Sequence, residues 1–297
     1  MFSGLSAFPL TPMNEIRIDE KAYVRLIERL AAAGVDSIGA LGSTGNYAYL
    51  SRQERARVAR LAVSHAGDVP VIVGIGALRS KDVLLLAEDA QQAGAAAVLL
   101  APVSYQPLTE DEVYRLYETV SNAISVPLCV YDNPRTTQFA FSDRLLGRIA
   151  QLPNVASMKI PGVSTDLAET RVRVERLRAL VPPEVSIGVS GDAFAAAGLG
   201  AGCDLWYSVI GGLFPNAALQ ITRAAQSGDH DRARQLSSRL DPLWQLFARH
   251  NGSLRCMAAA AELMGLVDRS CLPLPLQSMQ GDERETLATL MRQLSLS

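Results

Sequence analysis

Lys159 is the residue whose setting could do covalent chemistry. It stands near the end of the apolar run Val155-Ala156-Ser157-Met158-Lys159-Ile160, which reads as a buried strand entering the turn Pro161-Gly162. Loss of hydration penalises the charged form of an amine, lowering its pKa from about 10.4 and leaving a usable fraction as free nucleophile. That is how a Schiff-base lysine is made. Of the 28 basic side chains only three are lysines, and the other two, Lys21 and Lys81, follow helix-start signals and read as solvated. An isolated strand-end lysine ordinarily extends its amine to water, so the assignment rests on the company Lys159 keeps.

That company stands at the ends of other apolar runs. It comprises Gly42-Ser43-Thr44-Gly45-Asn46-Tyr47, Gly74-Ile75-Gly76, Pro102-Val103-Ser104-Tyr105-Gln106-Pro107, Tyr131-Asp132-Asn133-Pro134-Arg135-Thr136-Thr137, Ser190-Gly191-Asp192, Ser208 and Gly211-Gly212. Together these supply phenols and hydroxyls among glycines that let a small ligand approach backbone. Gly42–Gly45 alone is a tight turn, but ahead of a helix its N–H groups and hydroxyls suit a carboxylate. Gly74-x-Gly76 lacks the full dinucleotide fingerprint. Tyr131 is either core or, beside the strand of Lys159, a phenol placed to move protons during imine formation. His65, His230 and His250 are scattered, and Cys129, Cys203, Cys256 and Cys271 contain no Cys-x-x-Cys pair. No metal site, Ser-His-Asp triad or cofactor is therefore expected.

The elements that position these residues repeat as short strand and amphipathic helix. Strands are expected at Leu5–Leu10, Ser37–Leu41, Val71–Ile75, Ala95–Ala101, Leu128–Tyr131, Val155–Ile160, Val185–Ser190 and Cys203–Val209. Three follow an Ala-Gly pair suited to a left-handed helix C-cap, and four follow a proline within two residues. Ser51-Arg52-Gln53-Glu54 and Thr109-Glu110-Asp111-Glu112 are capping boxes, and Asp19, Ser80 and Ser142 are expected N-caps. Eight β-then-α units with continuously apolar strands imply a parallel sheet covered by helices. The expected architecture is an α/β (β/α)8 TIM barrel over residues 1–227, with a doubly wound open sheet as the alternative. Residues 228–297 are expected to form a C-terminal three-helix extension, at Asp229–His250, Ser253–Leu266 and Asp282–Leu294, packed on the barrel.

At 297 residues with 48% apolar content the chain can bury a sizeable core, and 28 basic against 30 acidic groups without charge blocks give no nucleic-acid or membrane surface. The opening Met1–Leu10 carries no basic leader, so a cytoplasmic protein is expected.

The order and spacing of Gly42-Ser43-Thr44-Gly45, Tyr131-Asp132-Asn133-Pro134 and Lys159, with Ser190-Gly191-Asp192 downstream, resemble the dihydrodipicolinate synthase and N-acetylneuraminate lyase superfamily of class I aldolases. The resemblance runs from Phe8-Pro9 through the C-terminal helices. It implies a metal-independent carbon–carbon lyase assembled as a tetramer of paired dimers. Lys159 becomes the Schiff-base lysine, Tyr131 the proton-transfer phenol and Thr44 a hydroxyl in its relay. Ser43, Thr44 and Gly45 hold the carboxylate of pyruvate or another 2-oxo acid, and Tyr105, Arg135, Ser190 and Gly191 complete the substrate-binding set.

The chain departs from family synthases where they place consecutive tyrosines, here Val103 and Ser104 with Tyr105 one residue late. It departs again where they place a carboxylate-binding arginine, here Thr136 with Arg135 one residue early, and where Asn46 replaces a frequent acidic residue. The second substrate is therefore open. Dehydration of a sugar acid through the same iminium, authentic 4-hydroxy-tetrahydrodipicolinate synthesis and a non-catalytic 2-oxo acid binder remain as alternatives.

Overall fold

The computed structural model describes residues 2–162 and 164–296. All eight strands form: β1 (Gly4–Ala7), β2 (Ser37–Ala40), β3 (Val71–Gly74), β4 (Ala97–Leu100), β5 (Leu128–Tyr131), β6 (Val155–Pro161), β7 (Ser186–Ser190) and β8 (Leu205–Ser208). Every neighbouring pair is parallel, and β1 pairs with both β2 and β8, closing the sheet into a barrel. Closure excludes the open sheet, whose edge strands would keep unpaired N–H and C=O groups.

Period-two alternation divides the side chains between two cores. Leu5, Ile38, Val73, Val98, Val130, Met158, Val189 and Trp206 point outward into the layer shared with the helices. Ile72, Leu99, Cys129, Tyr131, Leu205 and Tyr207 fill the barrel interior. Tyr131 of β5 and Lys159 of β6 are register partners, so both project inward at the same level.

Local signals explain the helix boundaries. Ser51 and Thr109 each complete a capping box with Glu54 and Glu112, while Asp19 and Ser142 accept from Ala22 N and Leu145 N. Ser80 differs from expectation: it is the first residue of its helix, and Arg79 precedes it without a side-chain cap. Gly34, Gly94 and Gly202 all have positive φ (72°, 86° and 101°), as a turn out of the preceding helix requires.

After the helix Pro215–Gln226 come helices His230–Ser238, Asp241–Arg249, Leu254–Leu263 and Gly281–Gln293. The stretch Asp229–His250, read from sequence as one helix, is therefore two. Pro242 sits in the first turn of the second, where its missing N–H costs nothing; inside one continuous helix it would clash with the preceding turn. Leu243, Phe247, Met257 and Leu287 join the outer core, and the Met13 N–H donates to Cys271 O at 3.1 Å. Arg284 and the nearly inaccessible Glu262 pair at 2.7 Å between two of these helices. No helix among the described residues is long and apolar enough to cross a membrane.

Candidate active site

Lys159 is the buried amine the sequence called for, 4% exposed. Its Nζ lies 3.8 Å from the ring centroid of Phe8, 4.2 Å from that of Tyr131 and 5.4 Å from that of Tyr207. Burial lowers its pKa to about 7, with the charges of Cys129 and Asp192 acting weakly in the opposite direction. Lys21 and Lys81, by contrast, are exposed. Competitive labelling with trace acetic anhydride is accordingly expected to give a reactivity midpoint for Lys159 near pH 7, rising as the amine loses its proton. A midpoint above about 9 would mean that the ammonium is solvated.

Tyr131 is buried, which pushes its phenol up to about 12 and keeps it protonated at neutral pH. Asn133 Nδ2 donates to its hydroxyl at 2.9 Å, and Ser43 Oγ lies 3.4 Å away. Asn133 also reaches Ser43 Oγ at 3.4 Å, forming a small polar cluster. Thr44, expected in the relay, is buried but makes no hydrogen bond with Tyr131 among the described residues; Ser43 occupies that place. The reason lies in the loop, whose turns end the strand alternation that would otherwise decide which hydroxyl faces inward. The backbone N–H groups of Ser43 and Thr44 make no hydrogen bond among the described residues, so both are available to an anion.

The end of β3 is braced by Arg55, on the helix Arg52–His65. This buried guanidinium donates to Gly74 O and Gly76 O, both at 2.8 Å, and its carbon lies 5.2 Å from the Tyr47 ring centroid. Gly74 must be glycine, because a Cβ there would stand 1.9 Å from Leu41 O. Across the mouth, the Ser190 hydroxyl donates to Ile160 O at 3.0 Å, and Gly191 has φ +84°. Asp192 accepts from Trp206 Nε1, Ser208 Oγ, Val209 N and Ile210 N at 2.9–3.2 Å. It ties the end of β7 to that of β8. Burial raises its pKa, opposed by those four donors.

Two expected binding residues are not brought to the amine. Tyr105 is 89% exposed at the rim, and Arg135 is exposed in the short helix Pro134–Thr137. Phe8 and Tyr207, given no role from the sequence, and Asn133, named there only within the Tyr131–Pro134 motif, are further contributors. The hint for Phe8 was two glycines, one on the neighbouring strand and one in the loop after it: a Cβ at Gly39 or Gly42 would come within 2.3 or 2.5 Å of its ring. Among the described residues no group of three or more His, Cys, Asp or Glu could hold a metal ion. A larger cavity, lined by Asn14, Arg17, Lys21, Arg25 and Arg57, shares no residue with this site.

The Dihydrodipicolinate synthetase family model matches residues 1–294. The chain is 31% identical over 298 residues to the 4-hydroxy-tetrahydrodipicolinate synthase of Methylococcus capsulatus, covering 99% of each chain. Among solved structures, a dihydrodipicolinate synthase from Agrobacterium tumefaciens superposes with TM-score 0.94 at 44% identity, over 99% of this chain and 98% of that one. The chloride-inhibited dihydrodipicolinate synthase from Acinetobacter baumannii, solved in complex with pyruvate, superposes with TM-score 0.89 at 25% identity over the whole of both chains. A closed eight-stranded barrel carrying a buried lysine beside an in-register tyrosine thus agrees with the similarity along the chain, which belongs to the dihydrodipicolinate synthetase family of class I carbon–carbon lyases.

Proposed function

We propose that this chain is a cofactor-free class I lyase that joins Lys159 to pyruvate or a related 2-oxo acid and makes or breaks the carbon–carbon bond next to the resulting iminium. The observation that carries the reading is the inward, in-register pairing of Tyr131 with a lysine whose pKa burial brings to about 7. The neutral amine attacks the ketone carbon, and the protonated Tyr131 phenol serves the departing oxygen. Ser43 and Asn133 orient that phenol through their hydrogen bonds. The free N–H groups of Ser43 and Thr44, with the turn at Gly45, receive the carboxylate. Withdrawal of electrons into the iminium then gives an enamine that condenses with an aldehyde, or that forms when the bond is cleaved. Residues 1–227 carry this chemistry; residues 228–297 cover the barrel and serve assembly. The exposed Tyr105 suits contact with another subunit of a cytoplasmic homotetramer.

The second substrate is read from what the mouth lacks. Condensation with aspartate semialdehyde calls for a cation on that substrate's carboxylate, worth about 1.5–3 kcal/mol, or roughly 10- to 100-fold. Thr136 offers a hydroxyl and Arg135 is exposed. Aspartate semialdehyde is therefore expected to turn over slowly in a coupled assay, with a neutral or hydroxylated aldehyde doing better. The hydroxyls of Ser43 and Ser190 also favour dehydration of a sugar acid through the same iminium as the second reading. A kcat/KM for aspartate semialdehyde within the roughly 10⁴–10⁸ M⁻¹s⁻¹ usual for native substrates would establish authentic synthase activity instead.

A further inference from the structure

The Lys159 amine has no hydrogen bond or ion pair among the described residues; its close neighbours are aromatic rings. We propose that Phe8, Tyr131 and Tyr207 form a cage whose ring faces hold the positive charge of the Lys159 iminium, with Phe8 as the face in closest contact. This deepens the Schiff-base reading and rests on it.

Phe8 is built into place. Its N–H donates to Ser208 O at 2.9 Å, extending the β1–β8 ladder by one residue, and its ring fills the space left by Gly39 and Gly42. It meets Tyr207 edge to face, with centroids 6.0 Å apart and planes at 74°. The Tyr207 hydroxyl is tethered to Ser157 Oγ at 2.6 Å and Cys129 Sγ at 3.1 Å, so its hydrogen bonds go to those groups and not to the amine. A Cβ at Gly188, the register partner of Lys159 on β7, would stand 2.4 Å from the Tyr207 ring. Glycine there lets the third face lie beside the amine.

The chemistry needs a charge holder of moderate strength. The amine lone pair forms the C–N bond, the carbonyl π pair moves to oxygen, and with one proton taken up overall that oxygen leaves as water. No oxidant or reductant takes part, and the nitrogen remains as a cationic iminium. A carboxylate beside it would raise the amine's pKa by one to three units and keep it as unreactive ammonium. The buried carboxylate whose charge acts on the amine, Asp192, is occupied by four donors. Ring faces favour the cation more weakly, so the same nitrogen can be a free amine before attack and a stabilised cation afterwards.

The test replaces Phe8 by phenylalanines of increasing fluorination, ending with the pentafluoro ring, which preserves shape while reversing the charge of the face. Phe8→Leu serves as a second variant without a π-face. The titratable neighbours of the amine, Cys129 and Tyr131 from β5, Asp192 after β7 and Tyr207 from β8, stay constant through the series. The pH midpoint of Lys159 labelling is expected to fall stepwise, by roughly half to one and a half units at full fluorination, because the ammonium loses its stabilising face. Borohydride-trapped iminium at fixed pyruvate is expected to fall roughly 5- to 30-fold over the same series. If the parent protein forms adduct but neither quantity moves, the cage is overturned and Phe8 is packing alone. A parent protein that forms no adduct removes the Schiff-base reading, while a labelling midpoint that still falls with fluorination upholds the ring contact with the charged amine.

Discussion

Pyruvate followed by borohydride is expected to modify Lys159 irreversibly and to leave Lys21 and Lys81 untouched, as peptide mass mapping will read. The two exposed lysines lie over no aromatic ring among the described residues, whereas Lys159 combines burial with a pKa near 7. Lys159→Met is expected to abolish the adduct and lower turnover by roughly four to six orders of magnitude, the scale on which enzymes suffer when their nucleophile is removed. Lys159→Arg will not rescue it, because a guanidinium stays charged and cannot attack a ketone. The methionine variant should melt no lower than the parent, since it removes an amine whose burial is unfavourable and leaves a side chain of similar length. An adduct mapped to Lys21 or Lys81 with Lys159 unmodified would sink the aldolase reading.

Tyr131→Phe is expected to lower turnover by roughly 10²-fold or more while sparing much of the binding of a 2-oxo acid. The Tyr131 ring lies beside the amine, its phenol kept neutral by a pKa of about 12 and oriented by Asn133 at 2.9 Å. The substitution keeps a ring against Lys159 and removes only the hydroxyl. Single-turnover trapping should therefore show slow imine formation with its final extent largely retained, whereas Ser43→Ala, one hydrogen bond further out, should cost less. Full activity in Tyr131→Phe would make that residue a core tyrosine and move the proton path elsewhere; Tyr47, which shares a narrow cavity with Tyr131, is then the phenol to test.

The fold was legible in the sequence because every strand after the first is an apolar run entered from a helix-ending glycine or a proline, and eight apolar runs with covering helices leave closure as the economical solution. Lys159 was legible for the converse reason, as a lone cation in one of those runs. The choice between Ser43 and Thr44 was not, because neighbouring hydroxyls on a turn obey no period. Phe8 was missed because an aromatic residue beside an apolar strand resembles any other core residue. Its distinction, a ring set into the gap at Gly39 and Gly42, is a relation between β1 and β2 and the loop after it. Arg135 and Tyr105 turned outward for a local reason, since each stands on an exposed segment beyond the last residue whose direction a strand fixes.

The closure of β1 on β8 also sets when the reactive lysine comes into being. Gly4 to Ala7 pair with Leu205 to Ser208, so the first strand waits for the last while nearly two hundred residues emerge from the ribosome. Until then Phe8 and Tyr207 lie far apart along an incomplete chain, and the rings that enclose the Lys159 amine are not yet assembled. Its low basicity belongs to the finished barrel and not to the strand that carries it. On the proposed mechanism, an unfinished chain therefore presents no such nucleophile until β8 (Leu205–Ser208) has been made and paired with β1.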